Sequence, residues 1–316
     1  MRKLVDPILE RSHRSAAGRE IDAALAGTLV KAYGDFALAH KTVDATELRT
    51  FGDASGYIAY AQKMGATLAL GDPVAPASEY PRLIDEFIDV FGKPAFVQVS
   101  GSTAGILAGR GWLRTPLGVD TVIDLQEYDF SGGEKEGLRQ SANWIRRKGF
   151  VVRERGFNSE TLAIMAAISK EWRANRPAGR REMRFLNRAA ASVDGPESRY
   201  FFLHDPSGEP VAFIAFDPLW RDGAAAGYVT ALKRQRPRAA GGHAEIGTMV
   251  HVIETFRAEG RRLLRLGLSP LAVRDEEARD GSLAVQSRSE MGRIVPEAIW
   301  LVCPGFADRL VRGEAP

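Results

Sequence analysis

Cysteine is almost absent from these 316 residues: Cys303 is the single one, so an internal disulfide is excluded and no second thiol exists for a CxxC zinc pattern. A reducing compartment, the cytoplasm, is the expected setting. Long apolar runs are missing too. No stretch of about 18 apolar residues is available to cross a bilayer as a helix. The basic opening "MRKLVDPILERSHRSAAGREIDAAL" is cut by charges before any run reaches the length of a signal-peptide core. A strong charge of either sign is also lacking, because the formal net charge is +3 and the pI about 9.0, which by themselves name no partner. What is present, 45% hydrophobic and 26% charged residues, is ordinary for a globular chain able to build one large or two modest domains.

The distribution of charge says more than its sum. "RRKGFVVRER", "RPAGRREMR" and "KRQRPR" concentrate Arg and Lys in the second half, where a polyanion would dock, while the first hundred residues hold no such cluster. Periodicity predicts a helix over 16–33, then two apolar strands in "GYIAYAQKMGATLALGDPV" joined by a Lys-Met-Gly turn. A helix follows in "SEYPRLIDEFIDVFGK", stopped by Gly92, and a strand in "PAFVQVS". The second half repeats this order. "NSETLAIMAAISKEWRAN" opens on a capping-box pattern at Asn158 or Ser159 and runs as a helix. "RYFFLHD", the turn "PSGEP" and "VAFIAFDPL" form a hairpin. After "GYVTAL" come a basic loop "KRQRPRAAGG", the helix "HAEIGTMVHVIETFRAEG" and the strand "RLLRLGLSP". Between the halves lie a strand in "VDTVIDLQEYDF" and the helix "EKEGLRQSANWIRRKG". The expected fold class is α/β (α+β), two units side by side, each a mixed sheet flanked by helices, with divisions at 1–130, 131–157 and 158–316.

In open α/β sheets ligands gather where strands end and helices begin, since the first helical turn offers unpaired N–H groups and a positive dipole. "RPRAAGGHAEIG" is such a place, and its Arg238, Gly241 and His243 stand at positions resembling the loop by which GNAT-type acyltransferases hold the pyrophosphate of coenzyme A, with His243 where a Gly or Ala is expected. A more specific resemblance is carried by "GDPV", by "LGVDTVIDLQEYDFSGGEKEGLRQSANWIRRKGFVV" and by "RLLRLGLSPLA". Three ordered matches between about Gly34 and Ala272 resemble the catalytic domain of the phosphatidylglycerol lysyltransferases, the MprF-like aminoacyl-tRNA transferases, whose core is a tandem pair of GNAT-like folds.

That resemblance implies two tandem GNAT-like units with mostly antiparallel sheets, aminoacyl-tRNA as co-substrate with no bound cofactor or metal, and a hydroxyl of a membrane lipid as acceptor, met at the membrane surface. The cytoplasm, including its membrane face, is then the expected location. Acyl transfer of this kind needs alignment, a site for the amine, an oxyanion stabiliser and one proton carrier, but no covalent nucleophile. Arg234, Glu245 and His243 are the candidate catalytic residues. Lys233, Arg236, Arg238, Gly241, Gly242 and Asp72 are candidates for binding tRNA or the amino acid, and Arg139, Arg146, Arg147 and Lys148 extend the basic track. Asp72 is expected either to cap the helix near "SEYPRL" or to point into a cleft between the units. Two departures from the family pattern stand out: Ala231 replaces an Asp at the end of the strand before the basic loop, and the family's C-terminal Lys segment has no counterpart. The alternatives are a coenzyme A-dependent N-acyltransferase using Arg238 to Gly242, and a tRNA-binding protein without catalysis.

Overall fold

A computed structural model describes residues 19–44, 47–63, 65–175, 197–237, 239–270 and 294–304. Helix α1 (Ala23–Tyr33) starts at Asp22, whose carboxylate accepts the Leu25 N–H at 2.7 Å, later than the sequence periodicity placed it. Its Ala26, Leu29 and Val30, at helical spacing, pack on Tyr57, Ala59 and Trp220. A single turn, α2 (Lys41–Asp44), leads to an antiparallel meander of β1 (Arg49–Asp53), β2 (Gly56–Lys63) and β3 (Ala66–Leu70). Helix α3 (Tyr80–Phe91) ends at Gly92, whose φ of 77° only glycine adopts without strain. Leu83, Ile84, Phe87 and Phe91 of α3 bury against Ile58 and Tyr60, on the face opposite α1. Strand β4 (Ala95–Val99) returns parallel to β3, followed by α4 (Gly101–Ala108) and the long β5 (Leu113–Asp124).

The chain continues through α5 (Glu136–Arg147), β6 (Val151–Arg155), α6 (Ser159–Ala174), β7 (Arg199–His204), β8 (Pro210–Arg221), β9 (Ala224–Gln235), α7 (His243–Ala258), β10 (Leu263–Pro270) and β11 (Ile294–Cys303). Asn158 caps α6 by accepting the Thr161 N–H at 2.8 Å, as the capping pattern predicts. The β7–β8 hairpin turns where Asp205 accepts the N–H groups of Ser207 and Glu209 and Gly208 takes φ 88°. Helix α6 packs on Tyr200, Phe202, Phe213 and Ala215, and α7 on Phe201, Ile214, Phe216 and Tyr228 from the other face.

The two units run together in one eleven-stranded sheet, ordered β1-β2-β3-β4-β11-β5-β10-β9-β8-β7-β6. Strand β11, the last described, threads back between β4 and β5, and β5 joins it to β10. The parallel pairs β3/β4 and β9/β10 each flank a crossover helix, so the helix, hairpin, helix, strand order of the sequence is a structural repeat. The strand at "GYVTAL" is longer than its apolar part, because β9 extends through Lys233, Arg234 and Gln235, which sequence periodicity assigned to a loop.

How β9 and β10 part decides where the site lies. They pair only from Leu263↔Gly227 to Arg265↔Val229. A bulge between Arg265 and Leu268, with Gly267 at φ 81°, then turns β10 toward β5 and leaves the end of β9 without a partner on that side. Where they do pair the backbones touch: a Cβ on Gly227 would stand 2.1 Å from the Leu263 carbonyl oxygen. Gly227→Ala is therefore expected to destabilise the fold by about 1–3 kcal/mol through overpacking, read as a lowered midpoint in chemical denaturation with an unchanged slope.

Candidate functional site

Around the C-terminal end of β9 lies a cleft of about 130 Å³. Its floor is Ala212, Phe213 and Ile214 of β8, paired in register with Gln235, Arg234 and Lys233. Trp172 near the end of α6 lines it from one face of the sheet, and Ala244, Glu245 and Thr248 on the first two turns of α7 line it from the other. The guanidinium of Arg234 stacks 3.7 Å from the centre of the Trp172 ring, and its Nη1 donates to the Lys233 carbonyl oxygen at 2.9 Å. Lys233 Nζ reaches across to Glu245 Oε1 at 2.6 Å. Both partners are substantially exposed, so the pair adds little to stability and is readily exchanged for a ligand. The cleft thus combines a stacked planar cation, an exchangeable Lys–Glu pair, an apolar floor and the positive end of a helix.

Of the residues predicted from sequence, Lys233, Arg234 and Glu245 come together here. Gly241 and Gly242 form the turn that starts α7, with open space around both, and Gly241 at φ 57° uses the freedom glycine provides. His243 does not line the cleft. Its ring stacks on Trp144 with centroids 4.7 Å apart, and its Nδ1 lies 3.1 Å from the Ser141 hydroxyl, both on α5. Arg236 also turns away, ion-paired with Glu209 at 3.2 Å and Glu171 at 3.7 Å. Arg238 and the basic stretch 176–184 lie outside the described residues. Trp172 and Thr248 escaped sequence reading, and the one signal for Trp172 was an aromatic set among the charges of "SKEWRAN".

Asp72 belongs to a second cleft, of about 150 Å³, where the two units meet. It accepts the N–H of Ser100, the residue that precedes α4, at 2.9 Å, so it ties down the start of α4 and does not cap α3, the helix near "SEYPRL". Burial pushes its carboxyl above the usual range. Gln98, a non-glycine residue at φ 59°, lies beside it. Across the cleft Arg265 Nη1 donates to Asp120 Oδ2 at 3.0 Å and to Glu297 Oε2 at 2.6 Å, linking β10, β5 and β11. The Gly267 N–H, on the bulge that re-aims β10, donates to Asp120 Oδ1 at 3.0 Å. One ion cluster thus ties the bulge of β10 to β5 and β11.

Residues 29–295 match the family described as phosphatidylglycerol lysyltransferase, C-terminal. The chain belongs to that family. The phosphatidylglycerol lysyltransferase of Staphylococcus epidermidis is 24% identical over 228 residues, 70% of this chain and 26% of that protein. The bifunctional lysylphosphatidylglycerol biosynthesis protein LysX of Nocardia farcinica is 38% identical over 125 residues, 37% of this chain and 11% of that protein. The chain therefore spans about a quarter or less of the curated relatives it matches. The solved structure of L-PGS from Bacillus licheniformis superposes with a TM-score of 0.71 at 20% identity, covering 93% of this chain and 95% of that one, so the two share a fold. Among the described residues of this lysyltransferase-family domain, no helix is long and apolar enough to cross a membrane. The basic end of α5, with Arg146, Arg147 and Lys148 exposed, borders the cleft helix α7.

Proposed function

We propose that this domain moves an aminoacyl group from aminoacyl-tRNA to a hydroxyl of a phosphatidylglycerol-type lipid, with the cleft at the end of β9 as the transfer site. The observation that carries the reading is the convergence of Arg234, Lys233 and Glu245 on one small cleft at the head of α7. The aminoacyl ester is already activated, so the domain has to align it with an alcohol, hold the charge that develops on the carbonyl oxygen and move one proton. Arg234, kept in place by Trp172, faces that charge. Glu245 takes the proton of the attacking hydroxyl when Lys233 turns to the substrate, a role that the stacked and hydrogen-bonded His243 is badly placed to fill. Arg146, Arg147 and Lys148 supply phosphate contacts for the acceptor stem, so binding is expected to weaken steeply as salt rises.

One observation favours the coenzyme A reading. The His243 ring, expected to crowd a pyrophosphate at the head of α7, points away to Trp144 and leaves Gly241 and Gly242 open. A single assay separates the two. Purified protein is incubated with tRNA charged with a labelled amino-acid mixture and phosphatidylglycerol vesicles, and the organic phase is counted. Label in the lipid is the expected result. Label that stays on tRNA or is lost only to water, together with acetyl transfer from coenzyme A to an amine, would reject aminoacyl transfer in favour of N-acylation.

A further inference from the structure

Thr248 stands on the second turn of α7, one turn beyond Glu245 on the same helix face, and lines the cleft. It is 1% exposed, and its Oγ1 has no hydrogen-bond partner. A helical Thr or Ser normally returns its hydroxyl to the carbonyl four residues back. Thr28 does so to Ala24 at 3.0 Å, Ser141 to Gly137 at 2.9 Å and Thr255 to His251 at 2.8 Å. Thr248 forgoes that bond to Ala244, itself a cleft residue, and a buried hydroxyl left unpaired is destabilising. Ser169 and Thr230 carry buried unpaired hydroxyls as well, but they line neither cleft. Thr248 therefore has what a ligand-binding hydroxyl needs: burial, no competing partner and a place in the wall of a charged cleft.

We propose that the Thr248 hydroxyl donates a hydrogen bond to the carbonyl oxygen of the aminoacyl ester, an inference that rests on the transfer reading above. Two features decide that it donates to an oxygen acquiring negative charge rather than accepting from an ammonium. It lies near the positive end of α7, and both Lys233 and Arg234 border the same cleft, where a further cation would be repelled. In the step itself the acceptor oxygen bonds to the ester carbon while its proton passes to the Glu245 carboxylate. The carbonyl π pair moves onto oxygen, where the Thr248 O–H and the Arg234 guanidinium meet it. Collapse re-forms the carbonyl, breaks the bond to the tRNA ribose oxygen, and that oxygen takes the proton back from Glu245.

The test is steady-state kinetics of Thr248→Val and Thr248→Ser with charged tRNA and phosphatidylglycerol vesicles, beside thermal melts of both. Valine keeps the shape and removes the hydroxyl. Loss of one oxyanion donor is expected to lower kcat about 100- to 1000-fold, with KM for the charged tRNA within about twofold of wild type. Serine should retain most of the activity. The melting temperature of Thr248→Val should equal or exceed that of wild type, since an orphaned polar group has been replaced by a methyl. Should the valine protein not fold, Thr248→Ala reads the same loss. Wild-type kcat in Thr248→Val would overturn the inference while leaving the transfer reading intact. A raised KM with unchanged kcat would also overturn it, as would equal impairment of the serine variant. A wild-type protein that places no label in lipid fails the transfer reading first, and this inference with it.

Discussion

Arg234→Ala is expected to lower aminoacyl transfer by this domain about a hundredfold or more while leaving its melting temperature close to that of wild type. The two halves of that expectation have different causes. Arg234 lies near the end of β9, beyond the last residue that pairs with β10, so little of the sheet depends on its side chain. Its guanidinium is held by the face of Trp172 and by the Lys233 carbonyl, both on the cleft wall, and it borders the space a reacting carbonyl would occupy. A cation fixed before the reaction loses no reorganisation energy when charge develops, which is why such groups act mainly on kcat. Arg234→Lys should rescue poorly, because a compact ammonium on a flexible stem cannot stack as a planar guanidinium does. Trp172→Ala should fall between the two, retaining the charge but losing its orientation. The readouts are kcat and KM for transfer to phosphatidylglycerol vesicles, with melts as the control. Near-normal kcat in Arg234→Ala would remove this cleft as the transfer site.

The legible parts of this molecule are those with local causes. The apolar spacing of α3, the Asn158 cap of α6 and the Asp205–Gly208 turn each follow from neighbours in sequence, and each is where the pattern put it. The edge strands β1 and β6 were missed because they are short and hold few apolar residues with no alternation, as in "VVRER". Helix α4 was missed because "GSTAGILA" has poor intrinsic helix propensity and is held by Asp72, a residue 28 positions away. The insertion of β11 between β4 and β5 is a long-range pairing that no local pattern encodes. The same divide runs through the site. Lys233, Arg234 and Glu245 are legible as cleft residues because they flank one strand-to-helix connection, whereas Trp172 reaches the cleft from another helix on the opposite face of the sheet. The sequence also cannot tell that Trp144 and Ser141 of a preceding helix hold the His243 ring outside the cleft.

Arg265→Met should have the largest effect on stability, about 3–5 kcal/mol at neutral pH, because it breaks a buried pair by removing one partner. Asp120 is 1% exposed, and with Arg265 gone its Oδ1 keeps the Gly267 N–H while its Oδ2 loses its cation. A loss of that size is a large fraction of the stability of an ordinary domain. Its pH dependence identifies the cause. Burial already pushes the Asp120 carboxyl above the usual range against the pull of Arg265, so the protonated form is favoured by folding. For a group raised in this way the stabilising contribution is present below the unfolded value, near pH 4, and is lost as pH rises through the folded value. Removing Arg265 raises the folded value further, so the gap in melting temperature between wild type and Arg265→Met should be small at pH 4 and widen toward pH 7. Asp120→Asn, which cannot ionise, should suppress most of that widening when combined with Arg265→Met. Because this cluster ties the bulge of β10 to β5 and β11, Arg265→Met should also lower transfer activity in proportion to the unfolded fraction, unlike Arg234→Ala. Differential scanning calorimetry across pH 4 to 7 measures the first effect, and a gap that stays constant with pH would show that the cost comes from packing rather than from the stranded carboxylate.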